Sequence, residues 1–153
     1  MIQSYIQNPI VTLLTNDSPV AFQEDCVRTN SASACNPCSW LCHSEGNPLY
    51  KINKGGLYHV EFNANVSSAT AGTIAFGLYL DGVLLPGASA ITTIATAGDY
   101  ANISIDKEVP ICREGTLTIQ AIPTVVTPTD ETTPITTEIP ILVSANLLIK
   151  RDC

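Results

Sequence analysis

The chain has 153 residues, 45% of them hydrophobic and only 14% charged, with a formal net charge of −7. That length suits one domain with a sizeable core. The negative charge, with no basic cluster beyond Lys150 and Arg151, argues against nucleic acid and against an anionic lipid surface as partners.

No apolar run reaches the eighteen or so residues of a membrane-spanning helix. Lys and Glu are scarce while Thr, Val and Ile abound, which favours strands over exposed helices. The opening MIQSYIQNPIVTLL has no basic n-region and carries Pro9, so it is not read as a secretory leader. Residues 1–15 are expected as an N-terminal arm. NDSPVAFQ is the candidate first strand of a domain spanning 16–153, interrupted by a cysteine-rich insert over 26–48.

From residue 55 the text alternates with period two. In GGLYHVEFNANV, Tyr58, Val60, Phe62, Ala64 and Val66 share one face, and His59, Glu61, Asn63 and Asn65 the other; that is a half-buried strand. TIAFGLYL sets Ile74, Phe76, Leu78 and Leu80 on one face. Asp81-Gly82 then marks a hairpin, with VLL as the returning strand and Pro86-Gly87 closing the unit. ATAGDYANISIDKEV alternates around Tyr100, Ile103 and Ile105, and EGTLTIQAI carries Leu117, Ile119 and Ala121. The segment 123–140 holds Pro123, Pro128, Pro134 and Pro140 among many threonines. A long extended connection is preferred there to a mucin-like stalk. In IPILVSANLLIK, Ile141, Val143, Ala145, Leu147 and Ile149 share a side, with Leu142 and Leu148 opposite. Apolar residues on both faces suit a last strand returning to the middle of a sheet. Eight to ten short strands with regular turn signals give an all-β fold, an antiparallel jelly-roll sandwich.

The strand text resembles the tumour-necrosis-factor-like and complement-head-like jelly rolls. GGLYHVEFNANVSS is similar to their "G-x-Y-x-V-x-F-x-V" strand, LYLDGVLLPG to their "L-x-x-N/D-G-x-x-x-P-G" hairpin, and VSANLLIKRDC to their closing "A-x-L-x-I-x-K" strand. The resemblance covers 16–150 apart from the insert and the Thr/Pro-rich loop. It implies a homotrimer, with Tyr58, Phe62, Phe76, Tyr79 and the closing strand, Leu148 included, in the core or around a three-fold axis. Bacterial and phage versions are implied to be non-catalytic surface proteins of virions, spores or cells. The insert and the missing collagen stem depart from that pattern.

Enzymatic signals are thin. His59 and Glu61 share a strand face, which an acid/base pair would need, but alternating polar residues are expected on any half-exposed strand. Asp17, Glu24 and Asp25, and likewise Asp130 and Glu131, read as solvated loop carboxylates; their spacing is not an EF-hand loop for calcium. No phosphate loop, nucleophile elbow or HExxH is present. Asn65-Val-Ser67 and Asn102-Ile-Ser104 match the glycosylation acceptor pattern and are read as accidental.

The insert packs Cys26, Cys35, Cys38, Cys42 and His43 together with Trp40, the only tryptophan. Zinc is one reading, since CxxC is a chelating unit, although only Cys26 supplies a distant arm. Disulfides are the second: six cysteines are an even count, and Cys112 and Cys153 could pair with each other, with the cluster or with a neighbouring chain. A redox Cys35–Cys38 pair would need a βαβ context that is missing. Free, buried thiols are the remaining reading. Trp40 and Leu41 are expected to pack on the sandwich end or on a neighbour. The expectation is therefore a non-enzymatic, homotrimeric surface component of a phage particle, such as a capsid decoration or head-fibre protein. Its partners would be itself and other virion proteins, the major capsid protein first; it would be made in the bacterial cytoplasm. The alternatives are a glycan- or receptor-binding knob using Tyr50, Tyr79 and Tyr100, or a bacterial spore- or cell-surface protein.

Overall fold

The computed structural model describes residues 1–6, 12–13, 19–27, 40–122 and 140–152. Every regular element among them is a strand: β1 (Ile2–Ile6), β2 (Thr12–Leu13), β3 (Glu24–Val27), β4 (Leu41–Cys42), β5 (Tyr50–Ile52), β6 (Gly56–Ser68), β7 (Gly72–Leu80), β8 (Val83–Ile94), β9 (Tyr100–Ile111), β10 (Gly115–Ile122) and β11 (Pro140–Asp152). They form two antiparallel sheets. The first has the order β3-β1-β11-β6-β9, with β2 also pairing β11; the second has the order β4-β5-β10-β7-β8. From β5 onward the chain crosses repeatedly between the two sheets, in the manner of a jelly roll.

The core lies where the apolar faces meet. Tyr58, Val60, Phe62, Ala64 and Val66 of β6 are all buried, as are Leu117, Ile119 and Ala121 of β10 and Ile103 and Ile105 of β9. Phe62 sits at the centre, edge-on to Phe22 at 6.4 Å and tilted against Phe76 at 5.5 Å. Each such side chain contributes roughly 1.5–3 kcal/mol by leaving water. At Asp81-Gly82 both residues take positive φ, 51° and 79°, the backbone of a tight type I′ hairpin turn. β11 does return to the middle of its sheet, between β1 and β6.

Five expectations change. Of NDSPVAFQ, the described residues 19–23 form no strand, only a single bridge from Pro19 to Gln120. Pro86-Gly87 does not end the hairpin, for β8 runs on to Ile94. Leu84 pairs with Tyr79 and Ser89 with Gly77, so the residues between them leave the ladder. Pro86 has no N–H to give it. On β11 a register shift between Leu142 and Ser144 reverses the phase of the strand. Leu142 is buried before the bulge, and Ala145, Leu147 and Ile149 after it, while Ile141 and Val143 are only half-buried. A single extra residue does this because side chains alternate with period two. The N-terminal arm is, over Ile2–Ile6, a strand between β3 and β11 with Ile2 and Ile6 in the core. Tyr100 lies on the outer face, 73% exposed, rather than with Ile103 and Ile105. The segments 28–39 of the insert and 123–139 of the Thr/Pro-rich loop lie outside the described residues.

Candidate functional site

At the edge where β1 and β3 face β4 and β5, the flank of the insert is fastened by a buried polar network. Ser4 and Asp25 stand opposite each other on β1 and β3. The Ser4 hydroxyl donates to Asp25 Oδ1 at 2.5 Å, and His43 Nδ1 meets Asp25 Oδ2 at 2.5 Å. His43 Nε2 reaches the backbone oxygen of Asn47 at 2.6 Å. The His43 side chain is 0% exposed and Asp25 9%. His43 Nε2 donates to the Asn47 carbonyl, and Nδ1 shares a proton with the Asp25 carboxyl, so both ring nitrogens are engaged. The ring stacks on Tyr50, centroids 3.8 Å apart and 3° from parallel. Burial raises the Tyr50 phenol above its ordinary range, Ser4 offsets this in part and the Asp25 charge adds to it. The phenol oxygen makes no hydrogen bond of ordinary geometry among the described residues.

This arrangement locks the insert's base and leaves little for chemistry. Ser4 is committed to Asp25 and not to His43, so no nucleophile–base pair forms. His43 has no nitrogen to offer a metal, and Cys42 is disulfide-bonded, with its partner outside the described residues. Cys26 is a free thiol on β3, and Cys35 and Cys38 lie outside the described residues. Among the described residues no three His, Cys, Asp or Glu side chains converge as a metal site. The zinc reading therefore loses two of its five candidate ligands to other bonds. Cys112 is a free, exposed thiol in the turn between β9 and β10; Cys153 lies outside the described residues. Of the carboxylates read as solvated loop residues, Asp25 lies instead on β3 within this network, and Asp17, Asp130 and Glu131 lie outside the described residues.

Leu41 is fully buried, and Trp40 packs on Tyr58 with ring centroids 5.6 Å apart. The tryptophan closes the end of the sandwich within its own chain. Tyr58, Phe62 and Phe76 are each 0% exposed between the sheets. Of the two places offered to them, the core and a three-fold axis, they occupy the first and are closed to a neighbouring subunit. Tyr79 and Leu148 are half-buried on outer faces. Tyr50, a glycan candidate, is 1% exposed and cannot touch a ligand.

The outer face of the first sheet carries the remaining polar residues. His59 Nδ1 lies 2.9 Å from Glu108 Oε1 and 3.6 Å from Asp106 Oδ1. Glu61 instead accepts from Asn63 Nδ2 at 3.2 Å, so the His59–Glu61 pair is not formed. Further along the same face lies a depression of about 270 Å³. It is lined by Asn63, Asn65, Asn102, Ser144 and Asn146, with Ala64 and Ala145, which belong to the core, between them. Asn102 Nδ2 donates to the Ala64 carbonyl at 3.1 Å, and Asn65 Nδ2 to Ser144 Oγ at 3.0 Å. Gln3 Nε2 donates to Asn146 Oδ1 at 3.3 Å from the next strand. Sequence reasoning missed this constellation because it draws on three strands far apart in the chain. The one available signal was the pair of Asn-x-Ser patterns that singled out Asn65 and Asn102.

No protein-family model matches the chain, and no curated protein matches it. Solved structures do. The globular domain of a zebrafish complement 1qA protein is 12% identical, with a TM-score of 0.61 over 99% of this chain and 98% of that one. Eiger TNF from S. frugiperda is 9% identical, with a TM-score of 0.62 over 99% and 93%. Murine APRIL is 9% identical, with a TM-score of 0.58 over 97% and 98%. The fold is thus a TNF- and complement-head-like jelly roll.

Proposed function

We propose that this chain is a non-enzymatic, self-assembling surface domain, a homotrimeric capsid decoration or head-fibre protein of a phage particle. One observation carries the reading. A single jelly roll accounts for 97% or more of the chain in each comparison, and its described residues converge on no nucleophile, acid/base pair or metal set. The buried His43–Asp25–Ser4 fastening fits a scaffold that holds an insert rigidly, and the net charge of −7 keeps nucleic acid away. The attachment elements are then the insert and other loops at the ends of the sandwich, where binding residues concentrate in such folds. Mass spectrometry of purified phage particles tests the location. The chain is expected as a stoichiometric virion component beside the major capsid protein. Its absence from particles and presence in a spore-coat or cell-surface fraction would overturn the phage assignment in favour of the bacterial one.

A further inference from the structure

We infer, independently of the assembly reading, that a pocket on the outer face of the second sheet binds one carboxylate on a short apolar stem. Its occupant is an acidic side chain of a partner protein, received where the 44–49 turn folds against β5 and β10.

Three observations carry it. The first is placement. Cys42 stands opposite Lys51, and Lys51 opposite Thr116, on β4, β5 and β10. Their neighbours Leu41, Tyr50, Ile52 and Leu117 are buried in the core, so by alternation this row lies on the outer face. Ser44, Asn47 and Leu49 wall a pocket of about 250 Å³ above it. That is under the ~300 Å³ at which ordinary small-molecule sites begin, room for the end of one side chain.

The second is rigidity, for the wall is pinned before any ligand arrives. Asn47 N donates to Ser44 O at 2.9 Å, and Gly46 N to Phe22 O at 2.7 Å. Leu49 N donates to Asn47 Oδ1 at 2.9 Å, and the buried His43 reaches the Asn47 carbonyl oxygen at 2.6 Å. A ligand entering a site already ordered loses little of its binding energy to ordering it.

The third is donor chemistry. Asn47 Oδ1 is taken by Leu49, which leaves Asn47 Nδ2 to donate. Thr116 spends its backbone groups on Asp81 and keeps its hydroxyl to donate. Lys51 is exposed and forms no ion pair among the described residues. No carboxylate among those residues lines the pocket, although the chain carries a net −7. Glu45 and Asp81, on the flanking turns, accept instead from the backbone of Asp25 and Thr116. One cation among hydroxyl and amide donors suits a single negative charge. A phosphate would call for an Arg fork or clustered cations. Leu49, 48% exposed, and the disulfide-bonded Cys42 give the stem apolar surface.

The test titrates the full isotope-labelled chain with N-acetyl-glutamate N-methylamide, whose only charge is the side-chain carboxylate, and follows the amide resonances. Saturable shifts centred on Ser44, Asn47, Lys51 and Thr116 are expected, with a dissociation constant on the order of 1–10 mM that rises with added salt. Lys51→Met should weaken binding roughly fivefold or more, while Lys51→Arg retains it. Both variants should keep the melting temperature, because the side chain is exposed. The glutamine analogue should not bind. Equal binding of that analogue, indifference to Lys51→Met, or shifts absent from these residues would overturn the inference. Tighter binding of methyl phosphate would overturn the carboxylate, and binding of free butyrate but not of the blocked glutamate would overturn the partner side chain. Light scattering on the same samples reads the assembly state separately, so a failure here is distinguishable from a failure of the trimer.

Discussion

Replacing Asp25 with alanine should be among the most damaging single changes in the molecule. The substitution strips His43 Nδ1 and the Ser4 hydroxyl of their shared acceptor, each bond being 2.5 Å long. Neither group can turn to water, because the His43 side chain and Ser4 are both 0% exposed. Leaving two buried groups without their acceptor costs about 1–3 kcal/mol for each, against a total stability of about 5–15 kcal/mol for a domain. With a urea m-value of about 2 kcal/mol/M, the midpoint should fall by about 2 M. Asp25→Asn keeps one acceptor oxygen and should fall between wild type and alanine. Ser4→Ala alone should cost on the order of 1–2 kcal/mol. The double variant should be less unstable than the sum of the two, by roughly 0.5–3 kcal/mol of coupling. Urea unfolding followed by Trp40 fluorescence, beside Tyr58, measures all four. A midpoint for Asp25→Ala within about 0.5 M of wild type, or strict additivity with Ser4→Ala, would refute the network.

Tyr50→Phe should leave stability unchanged or raise it by up to about 1 kcal/mol, because the hydroxyl it removes is buried without a hydrogen bond of ordinary geometry. The same burial holds the phenol's pKa above its unfolded value. Its contribution is therefore complete below about pH 10 and is lost as pH climbs past that value. Alkaline unfolding curves should show wild type losing stability there faster than Tyr50→Phe. Gly82→Ala should cost about 1 kcal/mol in the same urea assay from backbone strain alone. Its φ is 79° and nothing lies within 4 Å of the added carbon; a neutral result would mean the turn has another backbone.

What was legible in the sequence was whatever depends on neighbours two residues apart. The β6 row from Tyr58 to Val66 and the β10 row of Leu117, Ile119 and Ala121 are buried as their alternation requires. Asp81-Gly82 turns because only such a pair adopts two positive φ values cheaply. Ile2, Ser4 and Ile6 alternate as well, yet their strand forms by pairing with residues near 25 and near 147, and no local pattern reports such partners. The β11 bulge was hidden for a related reason. Val143 is as apolar as its neighbours, and only the ladder to β6 shows that the phase changes there. His43 looked like a metal ligand beside cysteines because spacing alone cannot reveal that Asp25 and Asn47 take both its nitrogens.

The most direct test of the central claim is the molar mass of the purified chain by light scattering coupled to size exclusion. A self-assembling trimer requires three times the 16.3 kDa of one chain, unchanged over a hundredfold dilution. A stable species of 16.3 kDa at all concentrations would contradict the assembly on which the proposed function rests.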